Sequence, residues 1–404
     1  MSAPTVLLTG ATGFLGAHLL AELAAAGARE IRCLVRAPDS PAAAERLRAA
    51  AARYGLAERS RAVRSWPGDL GRPRLGLDSV AYAALGRGLD LVVHAGARVN
   101  LALPYEALKP VNVDGTQEIL RLAAQGPTPV PVHHISTLAV FGPDTPVEET
   151  LRLPAPTDLA SGYEQSKWVA DRLAATAAER GLPVAIHRTG RLFVNSATAG
   201  HNPQDLLVQV LTAVVRLGTA PDYEAVLRPA PVDWTAGVLR RLALAPDGLG
   251  RAYHLTGQQP LPWSAVLDAV DAGGPALPRT DYRRWLRLLT EHADHSGDEV
   301  LRRLTLVLGA RPPFLGEDAG TPANARSLLG PAFDREHPAS AAGLVTRLVA
   351  RLAAEPPSPP PSPPPGDATD PGPAPGPAPV APAAPAGVGP DRPTGEPYAP
   401  GGTR

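Results

Sequence analysis

The stretch Thr9-Gly10-Ala11-Thr12-Gly13-Phe14-Leu15-Gly16 decides the fold of this chain. The apolar run Val6-Leu7-Leu8 comes directly before it, and apolar residues at helical spacing come directly after it. This order predicts a strand, a tight turn and a helix, which is the first half of a nucleotide-binding βαβ unit.

The three glycines of this stretch each have a physical role in such a unit. Gly10 permits the backbone angles of a tight turn, Gly13 lets the main chain approach a pyrophosphate, and Gly16 lets helix and strand pack closely. The helix N-terminus then offers free amide groups and a partial positive charge to the phosphates. The predicted cofactor contacts of the turn are Thr9, Gly10, Thr12, Gly13, Phe14, Leu15 and Gly16.

The composition excludes several other classes of protein. The 404 residues include 39 basic and 39 acidic side chains, so the bulk charge favours neither nucleic acid nor an anionic membrane as partner. The single cysteine, Cys33, excludes an internal disulfide framework and indicates a reducing compartment. His292-Ala293-Asp294-His295 offers too few ligands for a metal, so we expect a solvated loop there and no metal site.

Neither end of the chain predicts a membrane segment. The N-terminus lacks the basic and apolar regions of a secretion signal, and no apolar run reaches the ~18 residues that span a bilayer. We therefore expect a cytoplasmic protein. Residues 355–404 consist largely of Pro, Ala, Gly and Ser, which cannot bury apolar area, so a disordered tail is expected.

The end of the second predicted strand, residues 30–36, favours NADP over NAD. A dinucleotide-binding unit that prefers NAD has an acidic residue here to bind the ribose 2′-hydroxyl. This chain has Arg36, whose guanidinium would pair with a 2′-phosphate. Arg46, in the following helix, is a second candidate phosphate ligand.

Further cofactor contacts are predicted at the ends of later strands. Asp69 and Leu70 follow the third strand, where the carboxylate can accept a hydrogen bond from the adenine amine. The small residues Ala95, Gly96 and Ala97 end the strand that begins at residue 89 and suit close contact with a cofactor. Asn112, at the start of a long helix ending near residue 124, could brace the site through main-chain hydrogen bonds.

Tyr163 and Lys167 form the predicted catalytic pair. They are four residues apart in a helical stretch, so both side chains lie on one face, and Lys109 is the only other lysine of the chain. A nearby ammonium can stabilise the anion of a tyrosine whose ordinary pKa is ~10, and can also hold a ribose. Thr137, at the end of the fifth predicted strand, would donate a second hydrogen bond to the substrate oxygen, and Ser136 is its rival.

Together these motifs resemble the extended short-chain dehydrogenase/reductase superfamily. Within it, the chain resembles the thioester reductases that end nonribosomal peptide synthetases and carboxylic acid reductases. The resemblance covers about residues 4–335. The matching stretches are residues 9–16, 33–37, 68–70, 94–100, 112–116, 135–137, 163–167, 200–206, 231–234 and 253–255.

The resemblance implies reduction of an acyl thioester by NADPH to an aldehyde, and onward to an alcohol if a second reduction follows. It also implies that residues 188–191 lie near the nicotinamide. Such reductases usually have a helical lead-in before the first strand, of which this sequence has almost none, and usually follow a carrier domain, which we do not expect in this sequence. The thioester could therefore be held by a carrier protein or by coenzyme A.

The predicted fold is α/β, with a doubly wound parallel sheet of the Rossmann type and a smaller, mostly helical C-terminal lobe. Residues 1–191 and 227–256 are assigned to the NADP-binding domain, and residues 192–226 and 257–350 to the substrate lobe. Two other functions stay open. One is a sugar-nucleotide epimerase or dehydratase, or a hydroxysteroid-type dehydrogenase; the other is a non-catalytic NADP sensor on the same fold.

Overall fold

The computed structural model describes residues 3–56, 62–142, 145–156, 158–309, 312–314, 320–335, 337 and 340–354. The predicted disordered tail, residues 355–404, lies outside these described residues.

A seven-stranded parallel sheet forms the centre of the described chain. Its strand order is β3-β2-β1-β4-β5-β6-β11, so the order reverses between β1 and β4, the place where doubly wound sheets bind their ligands. The strands are β1 (Thr5–Thr9), β2 (Glu30–Val35), β3 (Val63–Pro67), β4 (Leu91–His94), β5 (Val132–Thr137), β6 (Val184–Thr189) and β11 (Ala252–Leu255). The predicted Rossmann-type sheet is confirmed.

Helices cover both faces of the sheet, because its strands are apolar on both sides. The helices of this part are α1 (Phe14–Ala25), α2 (Ser40–Arg53), α3 (Ser79–Gly86), α4 (Tyr105–Lys109), α5 (Gly115–Ala123), α6 (Gly162–Glu179), α8 (Val232–Ala243) and α12 (Ala323–Leu329). The core on one face is built mainly from α1 and α8, and the core on the other from α3, α5 and α6.

The helix predicted to open near residue 111 begins earlier. Helical backbone starts at Tyr105 and runs through a π-helical turn, Pro110–Asp114, into α5. Pro110 favours a helix start in a sequence prediction because it lacks an N–H donor. In the structure it lies inside the helical segment, where the wider turn accommodates it, and Asn112 lies within that turn.

The C-terminal part has a separate hydrophobic core around Trp263 and Trp285. Its helices are α7 (Leu206–Leu217), α9 (Trp263–Gly273), α10 (Tyr282–Ser296), α11 (Glu299–Val307) and α13 (Ala341–Ala354). Its short strands are β7 (Leu192–Phe193), β8 (Ala220–Asp222), β9 (Val226–Leu227), β10 (Ala230–Pro231), β12 (Leu261–Pro262) and β13 (Arg279–Asp281). His292 and His295 are exposed on helix α10, so the predicted loop at this position is wrong.

The division into two lobes stays our proposal, with one segment assigned differently. Helix α12 was grouped with the substrate lobe, but it packs against β11 and α8 of the sheet body. The backbone amide and side-chain amide of Asn324 bind Glu149 and Ala252, which explains this placement. None of the described helices is both long and apolar enough to cross a membrane.

Candidate active site

The glycine turn lies where β1 and β4 separate. Gly10 has φ +74°, and a Cβ atom on it would lie 2.5 Å from the carbonyl oxygen of Ala95. A Cβ on Gly16 would lie 2.0 Å from the Gly10 carbonyl oxygen, so both positions require glycine. Gly13 is exposed and precedes α1, whose N-terminus has no side-chain cap. The amides of the first helical turn thus face the open side of the turn, as phosphate binding requires.

Residues from two further strand ends pack beside this turn. A Cβ on Gly96 would lie 2.5 Å from a methyl carbon of Leu70, so Leu70 rests directly on the main chain after β4. One carboxylate oxygen of Asp69 accepts a hydrogen bond from the Gly71 amide at 2.9 Å. That Asp69 binds adenine stays a prediction. The other carboxylate oxygen would accept the hydrogen bond from the adenine amine.

Two arginines lie together at the end of β2. Arg46 donates a hydrogen bond to the main-chain oxygen of Arg36 at 2.7 Å. Burial and the charge of Arg36 lower the pKa of Arg46 below its ordinary value. Among the described residues neither guanidinium forms an ion pair. Both predicted phosphate ligands are therefore exposed, adjacent and electrostatically suited to an anion.

The predicted catalytic side chains belong to the contact between β5 and α6. Tyr163 lies in the first turn of α6, which Ser161 and Glu164 fix through a capping box. Lys167 is buried one turn later, and its Nζ donates to the main-chain oxygen of Ile135 at 2.8 Å. Thr137 ends the same strand two residues after Ile135.

The structure distinguishes Thr137 from its rival. The hydroxyl oxygen of Thr137 accepts a hydrogen bond from the Ala139 amide at 3.2 Å, which leaves its proton free to donate to a substrate. Thr137 is half-buried, whereas Ser136 is buried with its hydroxyl turned away from solvent.

The pKa values of the pair differ from the expected pattern. Burial and the neighbouring Glu164 carboxylate raise the pKa of Tyr163 to about 12. Burial lowers the pKa of Lys167 to about 8, partly opposed by the charge of Asp171. The expected lowering of the tyrosine pKa by Lys167 is therefore not present: burial raises this pKa, and the ammonium donates to the main chain of Ile135. Tyr163 is a neutral phenol, which makes it a proton donor at pH 7.

The Asn112 side chain bonds the main chain of Arg98, and its bracing of the active site stays a prediction. Its side-chain oxygen accepts from the Arg98 amide at 2.7 Å, and its side-chain nitrogen donates to the Arg98 carbonyl at 3.1 Å. The same nitrogen donates to the Ser166 hydroxyl at 2.9 Å, and Ser166 in turn donates to the carbonyl of Tyr163 at 2.9 Å. The residue pair Asn112 and Ser166 therefore joins the catalytic helix to the chain that follows β4.

Arg188 forms a buried ion pair with Asp171. Its guanidinium forms two hydrogen bonds of 2.9 Å with Asp171, and both side chains are fully buried. It also donates to the main-chain oxygens of Thr150 and Leu151. That residues 188–191 lie near the nicotinamide stays a prediction, while the hydrogen-bonding groups of the Arg188 guanidinium are taken up by α6 and the segment before it.

An NAD-binding family described as male sterility protein matches residues 8–239. The chain belongs to this family. It is also similar to the terminal R domain of a myxalamid PKS-NRPS pathway, with 35% identity and a TM-score of 0.79 over 87% of this chain and 91% of that one. The predicted membership of the extended short-chain oxidoreductases, in their thioester reductase group, is confirmed.

Two curated relatives are much longer than this chain. Isonitrile lipopeptide synthase of Streptomyces coeruleorubidus is 41% identical over 288 residues, which are 69% of this chain and 19% of that protein. Glycine betaine reductase ATRR of Emericella nidulans is 37% identical over 306 residues, which are 72% of this chain and 24% of that protein. The chain thus spans less than a quarter of the length of each.

Proposed function

We propose that this protein uses NADPH to reduce an acyl thioester, held on a carrier protein, to an aldehyde. The observation that supports the proposal is the packing of α6, which contains Tyr163 and Lys167, against β5, which ends at Thr137, with Lys167 bonded to the main chain of β5. A hydroxyl, a phenol and an ammonium suit the reduction of a carbonyl, because proton donors stabilise the negative charge that develops on its oxygen.

The residues present fit a dinucleotide. The uncapped N-terminus of α1 and the exposed Gly13 would hold the diphosphate, and Arg36 with Arg46 would hold a 2′-phosphate. NADPH supplies a hydride to the thioester carbonyl carbon when it is bound. The absence of an acidic residue at the end of β2 supports NADP over NAD.

The protein's own groups would act on the carbonyl oxygen. Thr137 has a free hydroxyl proton and Tyr163 is a neutral phenol, so both can donate hydrogen bonds to the oxygen as negative charge develops. Lys167 is one helical turn after Tyr163, and its ammonium would bind the nicotinamide ribose. Proton transfer from Tyr163 then gives a hemithioacetal, which collapses to the aldehyde and the free thiol.

The carrier is proposed from the relatives. A thiolation-reductase di-domain of an archaeal nonribosomal peptide synthetase shares the fold, at a TM-score of 0.71 and 22% identity. We propose that this chain likewise acts on a carrier-bound thioester, and a preference for coenzyme A is one of the outcomes that the test distinguishes. Whether the aldehyde is reduced again to an alcohol is part of the same test.

The test is an NADPH-consumption assay with product analysis by mass spectrometry. The substrates are acyl thioesters on a phosphopantetheinylated carrier protein, the same acyl groups on coenzyme A, and a nucleoside-diphosphate sugar. We expect aldehyde with the carrier-bound substrate. A coenzyme A preference would overturn the carrier assignment. Conversion of the sugar nucleotide without NADPH consumption, detected as a chromatographically separated epimer or as loss of water, would favour an epimerase or dehydratase. Cofactor binding with no reaction on any substrate would favour a sensor.

A further inference from the structure

The geometry points to His94 as a positioning residue, whose neutral imidazole connects the strand that carries the glycine turn to the helix that carries Tyr163. The effect on kcat rests on the proposed function, whereas the effect on hydrogen–deuterium exchange depends only on the geometry. The connection is a chain of buried hydrogen bonds through Thr9, His94, Thr116, Asn112 and Ser166, here called the His94 relay.

The first step of the relay joins β1 to β4. Thr9 is the last residue of β1 and lies beside His94, its register partner in β4. The Thr9 hydroxyl lies 2.7 Å from Nδ1 of His94 and accepts a hydrogen bond from the Gly96 amide at 2.9 Å. The relay therefore starts one residue before Gly10.

The second step joins β4 to the helical segment that contains Asn112. Nε2 of His94 lies 3.0 Å from the Thr116 hydroxyl, and this hydroxyl donates to the Asn112 carbonyl at 2.7 Å. Thr116 has one proton, which the carbonyl takes, so Nε2 of His94 must be the donor. Nδ1 of His94 then accepts from Thr9, whose oxygen is still free to accept from Gly96.

Only this tautomer gives every contact of the relay a donor. The other neutral form would leave the oxygens of Thr116 and Asn112 2.7 Å apart without a proton between them, which is repulsive. All donors therefore point the same way, from Gly96 to Asn112, and bonds in such a chain polarise one another. Burial and the charge of Lys167 lower the pKa of His94 to about 3, so the imidazole stays neutral at every working pH.

The third step reaches the catalytic helix. The Asn112 side chain bonds both main-chain groups of Arg98 and the hydroxyl of Ser166, and Ser166 bonds the carbonyl of Tyr163. The close approach of Gly162 to the main chain of Pro104 and Tyr105 limits the helix on its other side. The position of the phenol relative to the glycine turn is thus set through His94.

A positioning role of this kind affects the chemical step more than cofactor binding. A displacement of about 1 Å between reacting groups can cost on the order of 100-fold in rate. The diphosphate contacts on Gly10 to Gly16 do not depend on the relay beyond Thr9. Breaking the relay at Thr116 should therefore lower kcat and leave the KM for NADPH nearly unchanged.

The test compares Thr116→Val, which has the same shape but no hydroxyl, with Thr116→Ser, which restores the hydroxyl. We expect Thr116→Val to lower kcat about 10- to 100-fold with the NADPH KM within about two-fold, and Thr116→Ser to recover most of the rate. Thr235 is a matched control, because it is buried and donates to a helical carbonyl at 2.9 Å outside the relay. Thr235→Val should leave kcat unchanged.

Hydrogen–deuterium exchange of residues 98–103 and 161–167 gives a second measurement that needs no substrate. Exchange there should rise in Thr116→Val and return to the wild-type rate in Thr116→Ser. Wild-type kcat and exchange in Thr116→Val, or equal losses in Thr116→Val and Thr116→Ser, would overturn the relay. If wild-type protein reduces no thioester, the proposed function fails, and the exchange data still decide the relay.

Discussion

At the scale of single residues, the site differs most from expectation in the protonation of its catalytic pair. A tyrosine whose pKa is raised to about 12 is a poor base and a good proton donor at pH 7. This state suits reduction, in which the carbonyl oxygen must gain a proton. The lysine is the group of the pair that titrates near neutrality, since its pKa is lowered to about 8.

Removal of the phenol should abolish most of the chemistry. We expect Tyr163→Phe to lower kcat by about 10²- to 10⁴-fold, the usual worth of a positioned proton donor, while NADPH binding stays within a few-fold. Tyr82→Phe is the matched control. Tyr82 has a pKa raised to the same value, about 12, but its hydroxyl binds the Glu118 carbonyl away from α6. Single-turnover kinetics with titrated NADPH would measure the rate of the chemical step and NADPH binding in both variants. A near-wild-type rate in Tyr163→Phe would exclude the phenol from the mechanism.

The lowered pKa of Lys167 leads us to expect that kcat/KM for NADPH depends on pH. The free protein loses the ammonium charge as pH rises through about 8, so kcat/KM for NADPH should fall above that pH. In Lys167→Arg the guanidinium stays charged, so the fall should be absent although the rate is lower. Initial rates from pH 6 to 10 measure this. A flat profile for the wild type up to pH 9.5 would contradict the assignment.

The arginine pair predicts cofactor preference. Arg36→Ala should raise the KM for NADPH about 10- to 100-fold and leave that for NADH unchanged, because a charge-assisted bond to phosphate contributes about 1.5–3 kcal/mol. Arg48→Ala on α2, the helix that contains Arg46, is the control, since Arg48 pairs with Glu45. Equal loss with both cofactors would remove Arg36 from the phosphate site.

Sequence patterns predict some of these residues and miss others for a physical reason. Tyr163 and Lys167 stand out because one helical turn separates them and lysine is rare in this chain. Arg188 binds Asp171 across 17 positions and Asn112 binds Ser166 across 54, and no local spacing encodes such contacts. The pKa of Tyr163 was missed because burial is a property of the packed structure.

At the scale of elements, the strand–turn–helix unit is the most predictable part of the chain. Its requirements are local, since a positive φ and a close approach can be satisfied only by glycine. The helix around Pro110 was predicted less well. Its π-helical turn packs against α6, a contact between distant parts of the chain that sequence periodicity does not reveal.

The glycine turn can be tested against a glycine with the same backbone angles. Gly27 has φ +79° and open space around its Cα, whereas Gly10 has φ +74° and the Ala95 carbonyl beside it. Gly27→Ala should cost about 1–2 kcal/mol of unfolding free energy from the backbone angle alone. Gly10→Ala should cost more and should also weaken NADPH binding, because β1 and β4 must separate. Urea unfolding and cofactor titration measure both effects, and equal costs for the two variants would contradict the predicted collision.

At the scale of the whole molecule, the sheet contains an unusual number of buried neutral histidines. The pKa of His94 and of His254 is lowered to about 3 and that of His133 to about 4, and burial holds the pKa of His134 and His187 well below 6.5. The sequence shows the histidines but not their common burial, since they come from four different strands.

These histidines predict a protein that is sensitive to mild acid. Below pH 6.5 they are protonated in the unfolded chain and neutral in the folded one, so stability falls as pH falls. Five such groups lower the unfolding free energy by about 5 kcal/mol between pH 6.5 and 5.5, a large share of the ~5–15 kcal/mol typical of a protein. Urea midpoints across this range measure the fall. A constant midpoint would contradict the buried neutral state of the five histidines.

The account as a whole depends on transfer of hydride to a thioester carbon at the site formed by Thr137, Tyr163 and Lys167. The most direct measurement uses NADPH carrying deuterium at the transferring position, a carrier-bound acyl thioester and mass spectrometry of the product. The account predicts an aldehyde with one deuterium on its carbonyl carbon, formed by the wild type and nearly lost in Tyr163→Phe. Release of unlabelled free acid, or equal label in both proteins, would contradict it.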